Sequence, residues 1–486
     1  MTIAIKELGK TRETRAFRDL REFLAAIDQP GQLKRIDGAH WDLEIGALTH
    51  VVSHRKPSPA LLFDNIPDVK PGWRVLTNMT NLADTWRERI IYGCPPSVSD
   101  AEAVEFWKEE LKRFSPLPPI HVSDGPVKEN VRLGEDVDLL ELPWVRWHEL
   151  DGGRYMCATS CVTRDPDSGY VNLGSYRFML VDHNTIVVHI AAGHHGDVIR
   201  KKYWDQGKPC PMQIVLGQEP SIFIAAAGNS PWGEPEYDLA GWIRGEPVEI
   251  TPGVVYPDLP IPATAEVVLE VDMLPPGSDT AVEGPFAEAT GYYGGGAHPS
   301  PLVKVRSILH RDNPIVQGSP IFFHDLLGSR TPRVWSELDR LGVPGIVGMN
   351  YRGGSGTLII SLKQSFPGHP MRAALGAMGG TAGQHPRFII VVDEDIDPYD
   401  LGQVLWAVGT RCEPAEQLDI VRRISSFRID PRMAPDKREA GDYTCSTAII
   451  DACRPYHWRD KFPPATGITP ELRHTTEAKW GAVLDA

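Results

Sequence analysis

The sequence predicts a mixed α/β (α+β) protein, with helix-and-strand segments at both ends and a middle dense in short strands. Three observations support this. The 486 residues exceed what one hydrophobic core holds, so two or three domains are expected. Hydrophobic residues make up 42% and charged residues 23%, the balance of a globular chain. The 43 prolines and 45 glycines require many turns and short elements. There is no internal repeat and no low-complexity tract.

The first segment runs to about Phe114. Phe17, Leu20, Phe23, Leu24 and Ile27 recur at helical spacing, which predicts one apolar helix face. Arg74–Leu76 reads as a short strand. Ala101–Phe114 reads as a helix capped by Ser99-Asp100. The proline-rich stretch SPLPPIHVSDGPV then reads as a linker.

The middle segment, about Val131–Arg311, carries frequent strand candidates. These are Met156–Thr163, Tyr176–Asp182, Ile186–Ala191, Ile214–Leu216, Ile222–Ala227, Ala265–Asp272 and Leu302–Ile308. Residues 182–185 (DHNT) suit a hairpin turn. Helices are predicted at Asp197–Trp204 and Tyr237–Arg244. Strands at this spacing suggest a barrel or sandwich.

The last segment alternates again. Val334–Leu341, Met371–Met378 and Leu401–Thr410 read as helices, and Thr357–Leu362 and Phe388–Asp393 as strands. That order suggests a parallel or mixed sheet with covering helices. Beyond Gly441 the chain is proline-broken until a terminal helix, Pro470–Val483.

The net charge is −14, from 50 basic and 64 acidic residues, which argues against a nucleic-acid binder. The short run Arg200-Lys201-Lys202 reads as a solvated helix face. MTIAIKELGK lacks the apolar core of a signal peptide. The longest apolar run, Ile222–Ala227, falls far below the roughly 20 residues of a membrane span. A cytoplasmic protein with no membrane partner is therefore expected. The seven cysteines contain no CxxC pair, so buried free thiols are expected rather than a zinc or disulfide framework. The closest pair, Cys157 and Cys161, would share one face of a strand.

Four polar clusters interrupt the apolar strands. In Tyr170–Arg177, Asn172 and Arg177 would face opposite sides of a continuous strand. A bend at Gly174-Ser175 would bring them together; the plainer reading is an exposed edge strand. His189, His194 and His195 fall within seven residues just before a helix start. Imidazole suits a divalent metal and a helix N-terminus suits phosphate, but His189 reads better as a core or surface histidine. Glu234 and Glu236 precede the next helix and equally suit its dipole. The most informative cluster is Glu283-Gly-Pro-Phe-Ala-Glu288, followed by a glycine run to His298. Two carboxylates brought together by that turn would repel, so one should keep its proton near neutral pH. A nearby arginine would hold the other ionised. The plainer reading is a polar rim loop. No Walker loop, no strand-linked GxGxxG and no GxSxG elbow is present. That disfavours a P-loop kinase, a classical dehydrogenase and a serine hydrolase.

Taken in order, these segments resemble the UbiD family of decarboxylases, which use prenylated FMN. The resemblance rests on Asn172-x4-Arg177, His195 with Gly207-Lys208-Pro209, and Glu236 before Leu239-Ala240-Gly241. It continues through Pro262–Glu266, Glu283-Gly-Pro-Phe-x-Glu288, Val391–Asp397, Leu405-Trp406-Ala407 and Thr410-Arg411. It implies that Asn172, His195 and Glu236 ligate Mn²⁺, which with K⁺ bridges the flavin phosphate to the protein. His195 is preferred over His194 by its distance from Arg177, though a one-residue loop difference would swap them. It implies cofactor contacts from Ser175, Tyr176 and Arg177 as well, and a catalytic Arg177–Glu283–Glu288 network with Glu288 as proton donor. The implied fold is an N-terminal α/β domain (1–118), a central split barrel like flavin reductases (119–315) and a C-terminal α/β domain (316–486) whose terminal helix serves dimerisation.

The implied reaction is reversible non-oxidative decarboxylation of an aromatic, heteroaromatic or α,β-unsaturated carboxylic acid, releasing CO₂. A flavin prenyltransferase would supply the cofactor, and a homodimer or homohexamer is expected. Tyr292, Tyr293 and Gly294–Gly296 are expected to shape the pocket. His298, Arg306 and Arg330 are candidates to meet a second carboxylate or a ring hydroxyl. The rival reading is an FMN-dependent split-barrel reductase, which would not need the paired acids.

Overall fold

The first helix, Leu20–Asp28, begins where the Asp19 carboxylate accepts the Glu22 amide at 2.9 Å. Phe17, Leu20, Phe23, Leu24 and Ile27 are all buried, as their spacing predicts. The computed structural model describes residues 17–81, 84–228, 230–288, 290–319, 330–352, 355–380, 386–426, 429–466 and 470–484. The helix packs on a sheet of Leu33–Asp37, Ala60–Asp64 and Arg74–Thr77, which Ile315–Gln317 extends in parallel. Asp100–Leu111 is helical, with a full capping box between Ser99 and Glu102.

The central sheet has ten strands. Its pairing path runs Tyr155–Met156, Arg177–Leu180, Thr185–His189, His298–His310, Val267–Met273, Cys210–Leu216, Ser160–Arg164, Val171–Gly174. Thr280–Glu283 and Asn130–Leu133 both pair with the long strand His298–His310. Val171–Gly174 ends the path and Arg177–Leu180 stands second from its start. Only Ser175 and Tyr176 separate them in sequence, so the sheet curls back on itself while the ladder stays open among the described residues. That is a split barrel rather than a closed one or a flat sandwich. Residues 182–185 form the predicted hairpin turn.

Two expectations fail here. Ile222–Ala227 belongs to a helix, Pro220–Ala227, rather than a strand. Glu219 caps it, accepting the Ser221 amide at 2.9 Å, and Pro220 occupies its first turn. Residues Pro220 to Ala226 are all buried, so no amphipathic period marks the helix. Met156–Thr163 is two strands, broken at Ala158, whose φ is 61°. Cys157 and Cys161 therefore do not share a strand face. All seven cysteines are free thiols and five are buried.

The C-terminal sheet has order Ile346–Arg352, Thr357–Leu362, Phe388–Asp393, Thr444–Ala452, Leu418–Ser425. The inner three are parallel and both edges antiparallel. Helices Arg330–Arg340, His369–Gly379, Leu401–Arg411 and Pro470–Leu484 lie where helices were predicted. The strands Leu418–Ser425 and Thr444–Ala452 were not predicted. Ion pairs on buried carboxylates tie the first segment to the ends of central strands. Arg21 meets Glu266 at 2.8 Å and Arg311 meets Asp19 at 2.9 Å.

Candidate active site

Arg177 begins the strand that follows the Ser175-Tyr176 link. Its side chain turns towards the segment between Thr280–Glu283 and His298–His310. Its Nε donates to Glu283 Oε1 at 3.0 Å, and its Nη2 to Glu283 Oε2 at 3.3 Å. Its Nη1 donates to Glu288 Oε1 at 2.8 Å. One guanidinium thus holds both acids, not only one, and the three residues are 8%, 0% and 7% exposed. Water is largely excluded, so each charged hydrogen bond is stronger than at a surface. The two carboxylates hold the Arg177 guanidinium well above its usual range, against the opposing effect of burial.

Burial pushes the Glu288 carboxyl up, Arg177 pulls it back, and Glu283 adds to the rise. The net shift is upward, as the paired acids predict. Arg177 occupies Oε1, so the proton of the neutral form sits on Oε2.

The backbone between the acids is clamped. Gly284 has φ of 91°, a conformation glycine adopts at little cost. Its amide donates to the Tyr155 hydroxyl at 3.1 Å, and Gly152 N donates to Pro285 O at 2.8 Å. The Phe286 ring lies under the Arg177 guanidinium at 4.8 Å and packs on Tyr155 at 4.5 Å. Gly295 faces the acid so closely that a β-carbon there would stand 2.8 Å from Glu288 Oε1. A β-carbon on Gly294 would stand 2.4 Å from Ile429 O, so the C-terminal segment abuts the glycine run.

A second constellation lies beyond the Gly174–Tyr176 bend. His195 Nδ1 is 3.1 Å from Asn172 Oδ1. Glu236 Oε2 accepts the Leu173 amide at 2.8 Å, and both its oxygens accept from the Tyr170 hydroxyl at 3.3 Å. Burial lifts Glu236 to about 7. Burial, then the neighbouring His194, holds His195 below its usual range, in the neutral form that binds metal. His194 stands at the helix start without a side-chain cap bond and is exposed. The Tyr176 hydroxyl accepts the Gly196 amide at 3.1 Å and fills the space beside Gly174 and Gly196. Ser175 is half-buried in the link. Amide oxygen, imidazole and a buried carboxylate form a donor set that fits a divalent cation.

His189, read from the sequence as a core or surface histidine, stands half-buried beside the acids. Its Nδ1 lies 3.7 Å from Glu283 Oε2, and His298 Nε2 lies 3.7 Å from the same oxygen. Strand register explains both: His189 is the cross-strand partner of Arg177, and His298 that of Glu283. The usable signal was the alternation of side chains on paired strands, had the pairing been known. Arg306 pairs with Asp272 at 2.7 Å on the outer part of the long strand. Arg330 begins a helix beside Tyr351, while Tyr292 is 62% exposed.

Known proteins match this architecture along the chain. The fold is that of the UbiD-class enzymes. The structure of Sedimentibacter hydroxybenzoicus vanillic acid decarboxylase in open form aligns with TM-score 0.81 and 28% identity, covering 97% of this chain and 100% of that one. The UbiD-class enzyme HmfF from Pelotomaculum thermopropionicum, in complex with FMN, aligns with TM-score 0.81 and 27% identity, over 95% and 100%. An evolved dimeric form of HmfF in complex with prFMN aligns with TM-score 0.79 and 26% identity, over 94% and 98%.

In sequence, a phenolic acid decarboxylase of Sedimentibacter hydroxybenzoicus is 32% identical over 461 residues, 91% of this chain and 92% of its own. A pyrrole-2-carboxylic acid decarboxylase of Pseudomonas aeruginosa is 30% identical over 489 residues, 95% and 97%. Family models for the N-terminal, Rift-related and C-terminal domains of 3-octaprenyl-4-hydroxybenzoate carboxy-lyase match residues 24–97, 120–321 and 327–452. The chain belongs to this carboxy-lyase family, UbiD, and is a decarboxylase.

Proposed function

We propose that this enzyme decarboxylates an aromatic or heteroaromatic carboxylic acid, reversibly and without oxidation, on prenylated FMN, with Glu288 as proton donor. The observation that carries the reading is the buried Arg177 fork on Glu283 and Glu288, with Glu288 raised. When bound, the prenylated flavin accepts the electron density that loss of CO₂ leaves on the substrate carbon. Glu288 then gives its Oε2 proton to that carbon. Arg177 fixes the acid by holding Oε1, and Glu283 keeps Arg177 in place through a two-armed contact. In the reverse direction the same carboxylate takes the proton back.

Asn172, His195 and Glu236 would hold Mn²⁺, and with Ser175, Tyr176, Arg177 and a K⁺ ion would anchor the flavin phosphate. A flavin prenyltransferase would supply the cofactor. Phenolic and pyrrole acids head the substrate range, because the relatives named for them align over nearly the whole chain. No described helix is long and apolar enough to cross a membrane, which suits a cytoplasmic enzyme. Leu472, Trp480 and Val483 stand exposed on the terminal helix, which suits assembly of copies into a dimer or hexamer through it. The paired buried acids disfavour a plain FMN reductase, since hydride transfer needs no such acid.

The test is co-expression with a flavin prenyltransferase, followed by a panel of carboxylic acids read by CO₂ release. Turnover of an aromatic or heteroaromatic acid is expected. A plain FMN spectrum with NADH oxidation and no CO₂ from any acid would overturn the reading.

A further inference from the structure

Glu283 has more partners than its work with Arg177 requires. Its Oε2 lies 3.7 Å from His189 Nδ1 and 3.7 Å from His298 Nε2. One ligand atom from each of the three side chains falls within 4.8 Å of the others. The imidazole rings stand 5.6 Å apart and inclined at 73°, so their nitrogens converge on the carboxylate without stacking. Three paired strands present them: Thr185–His189, Thr280–Glu283 and His298–His310. The side chains are 19%, 0% and 27% exposed, so an ion has a route in through the two histidines.

The geometry points to a second metal site, separate from Asn172, His195 and Glu236, in which His189, Glu283 and His298 bind a borderline divalent transition metal such as Zn²⁺ or Co²⁺. Ligands about 2.0–2.2 Å from a tetrahedral zinc stand roughly 3.4 Å from one another. The two 3.7 Å separations need to close by a few tenths of an ångström, and the two imidazole nitrogens, within 4.8 Å of each other, need to draw together by rotation of the rings. Two imidazoles and one carboxylate favour zinc, cobalt, nickel or copper over Mn²⁺ or Mg²⁺, which prefer oxygen. With neutral imidazoles and Glu288 protonated, Glu283 is the one anionic ligand, set against the single positive charge of Arg177.

Loading the site has a consequence for the reaction, and this part rests on the function proposed above. The metal takes Glu283 Oε2, the atom to which Arg177 Nη2 donates at 3.3 Å. Arg177 then loses one arm of its hold on Glu283, and the guanidinium that positions Glu288 is released on that side. The metal is therefore an inhibitor, and chelation restores activity. No bond of the substrate is involved.

The experiment uses full-length protein with Mn²⁺ in excess, titrated with Zn²⁺. Bound metal is counted after desalting, and melting temperature is followed in parallel. One Zn²⁺ per chain is expected, with a rise in melting temperature. Both are expected to vanish in His298→Asn and His189→Asn but to persist in His195→Asn. Should an asparagine variant fail to melt cooperatively without metal, His298→Gln replaces it. Equal Zn²⁺ uptake by wild type and His298 variants, loss of uptake in His195→Asn, or no uptake at all would each overturn the site. Reversible Zn²⁺ inhibition of CO₂ release, weakened about tenfold or more in His298→Asn, is the expected functional readout. Zinc bound as expected to a protein that decarboxylates nothing would refute the proposed function and leave the site standing.

Discussion

Arg177 and His189 are cross-strand partners in one antiparallel ladder, and both side chains converge on Glu283. The contact is a product of register. A slip of one residue would turn His189 to the other face and leave Glu283 with Arg177 and His298 alone. The chemistry at this end of the barrel therefore depends on strand pairing as much as on residue choice.

Glu288→Gln keeps the shape and removes the acid. Turnover should fall by about 10²–10⁴-fold, the usual contribution of a positioned general acid. Flavin content, read from the visible spectrum, should not change. Full turnover in this variant would remove Glu288 from its role.

Glu283→Gln tests the electrostatics of the pair. The negative charge on Glu283 helps raise Glu288, so its removal lowers Glu288. With Glu288 in its proposed role, decarboxylation would need the protonated acid, and its rate would fall as pH rises through the Glu288 pKa. The alkaline limb of the residual activity should move to lower pH in the variant. A move to higher pH would contradict the coupling.

Gly295→Ala places a β-carbon 2.8 Å from Glu288 Oε1. The acid must swing aside, and a displacement of about 1 Å at a reacting group can cost on the order of 10²-fold. A large loss of turnover is expected, with melting temperature within a few degrees of wild type. Unchanged turnover would mean that Glu288 acts from another position.

In its proposed role as a Mn²⁺ ligand, Glu236 would link stability to metal and pH. Burial raises it from 4.5 to about 7. A carboxyl raised on folding stabilises fully below its unfolded value, and that contribution is lost as pH rises through the folded one. The metal-free chain should lose roughly 3 kcal/mol over that window. Mn²⁺ should therefore raise the melting temperature more at pH 8 than at pH 5, and Glu236→Gln should flatten the difference. Equal Mn²⁺ stabilisation at both pH values would take Glu236 out of the cation set.

Local signals determined a good part of this protein. The spacing of Phe17, Leu20, Phe23, Leu24 and Ile27, the helix start at Ser99-Asp100 and the apolar strand Phe388–Asp393 are all where sequence predicts, because each depends on neighbours a few residues away. The order of the motifs, with Glu283 and Glu288 around a Gly-Pro turn, identified the family. Burial from every side hid the rest. Pro220–Ala227 is apolar all round and carries no helical period, and Thr444–Ala452 lay in a stretch read only as proline-broken, though it is an interior strand of its sheet.

Tertiary structure alone decided how the acids are held. That one arginine serves both Glu283 and Glu288, and that His189 and His298 join them, depends on strands far apart in sequence being paired. Long-range register leaves no local trace in composition or spacing, so Arg177, Glu283 and Glu288 could be named from the sequence, but their shared hydrogen bonds, and the histidines beside them, could not.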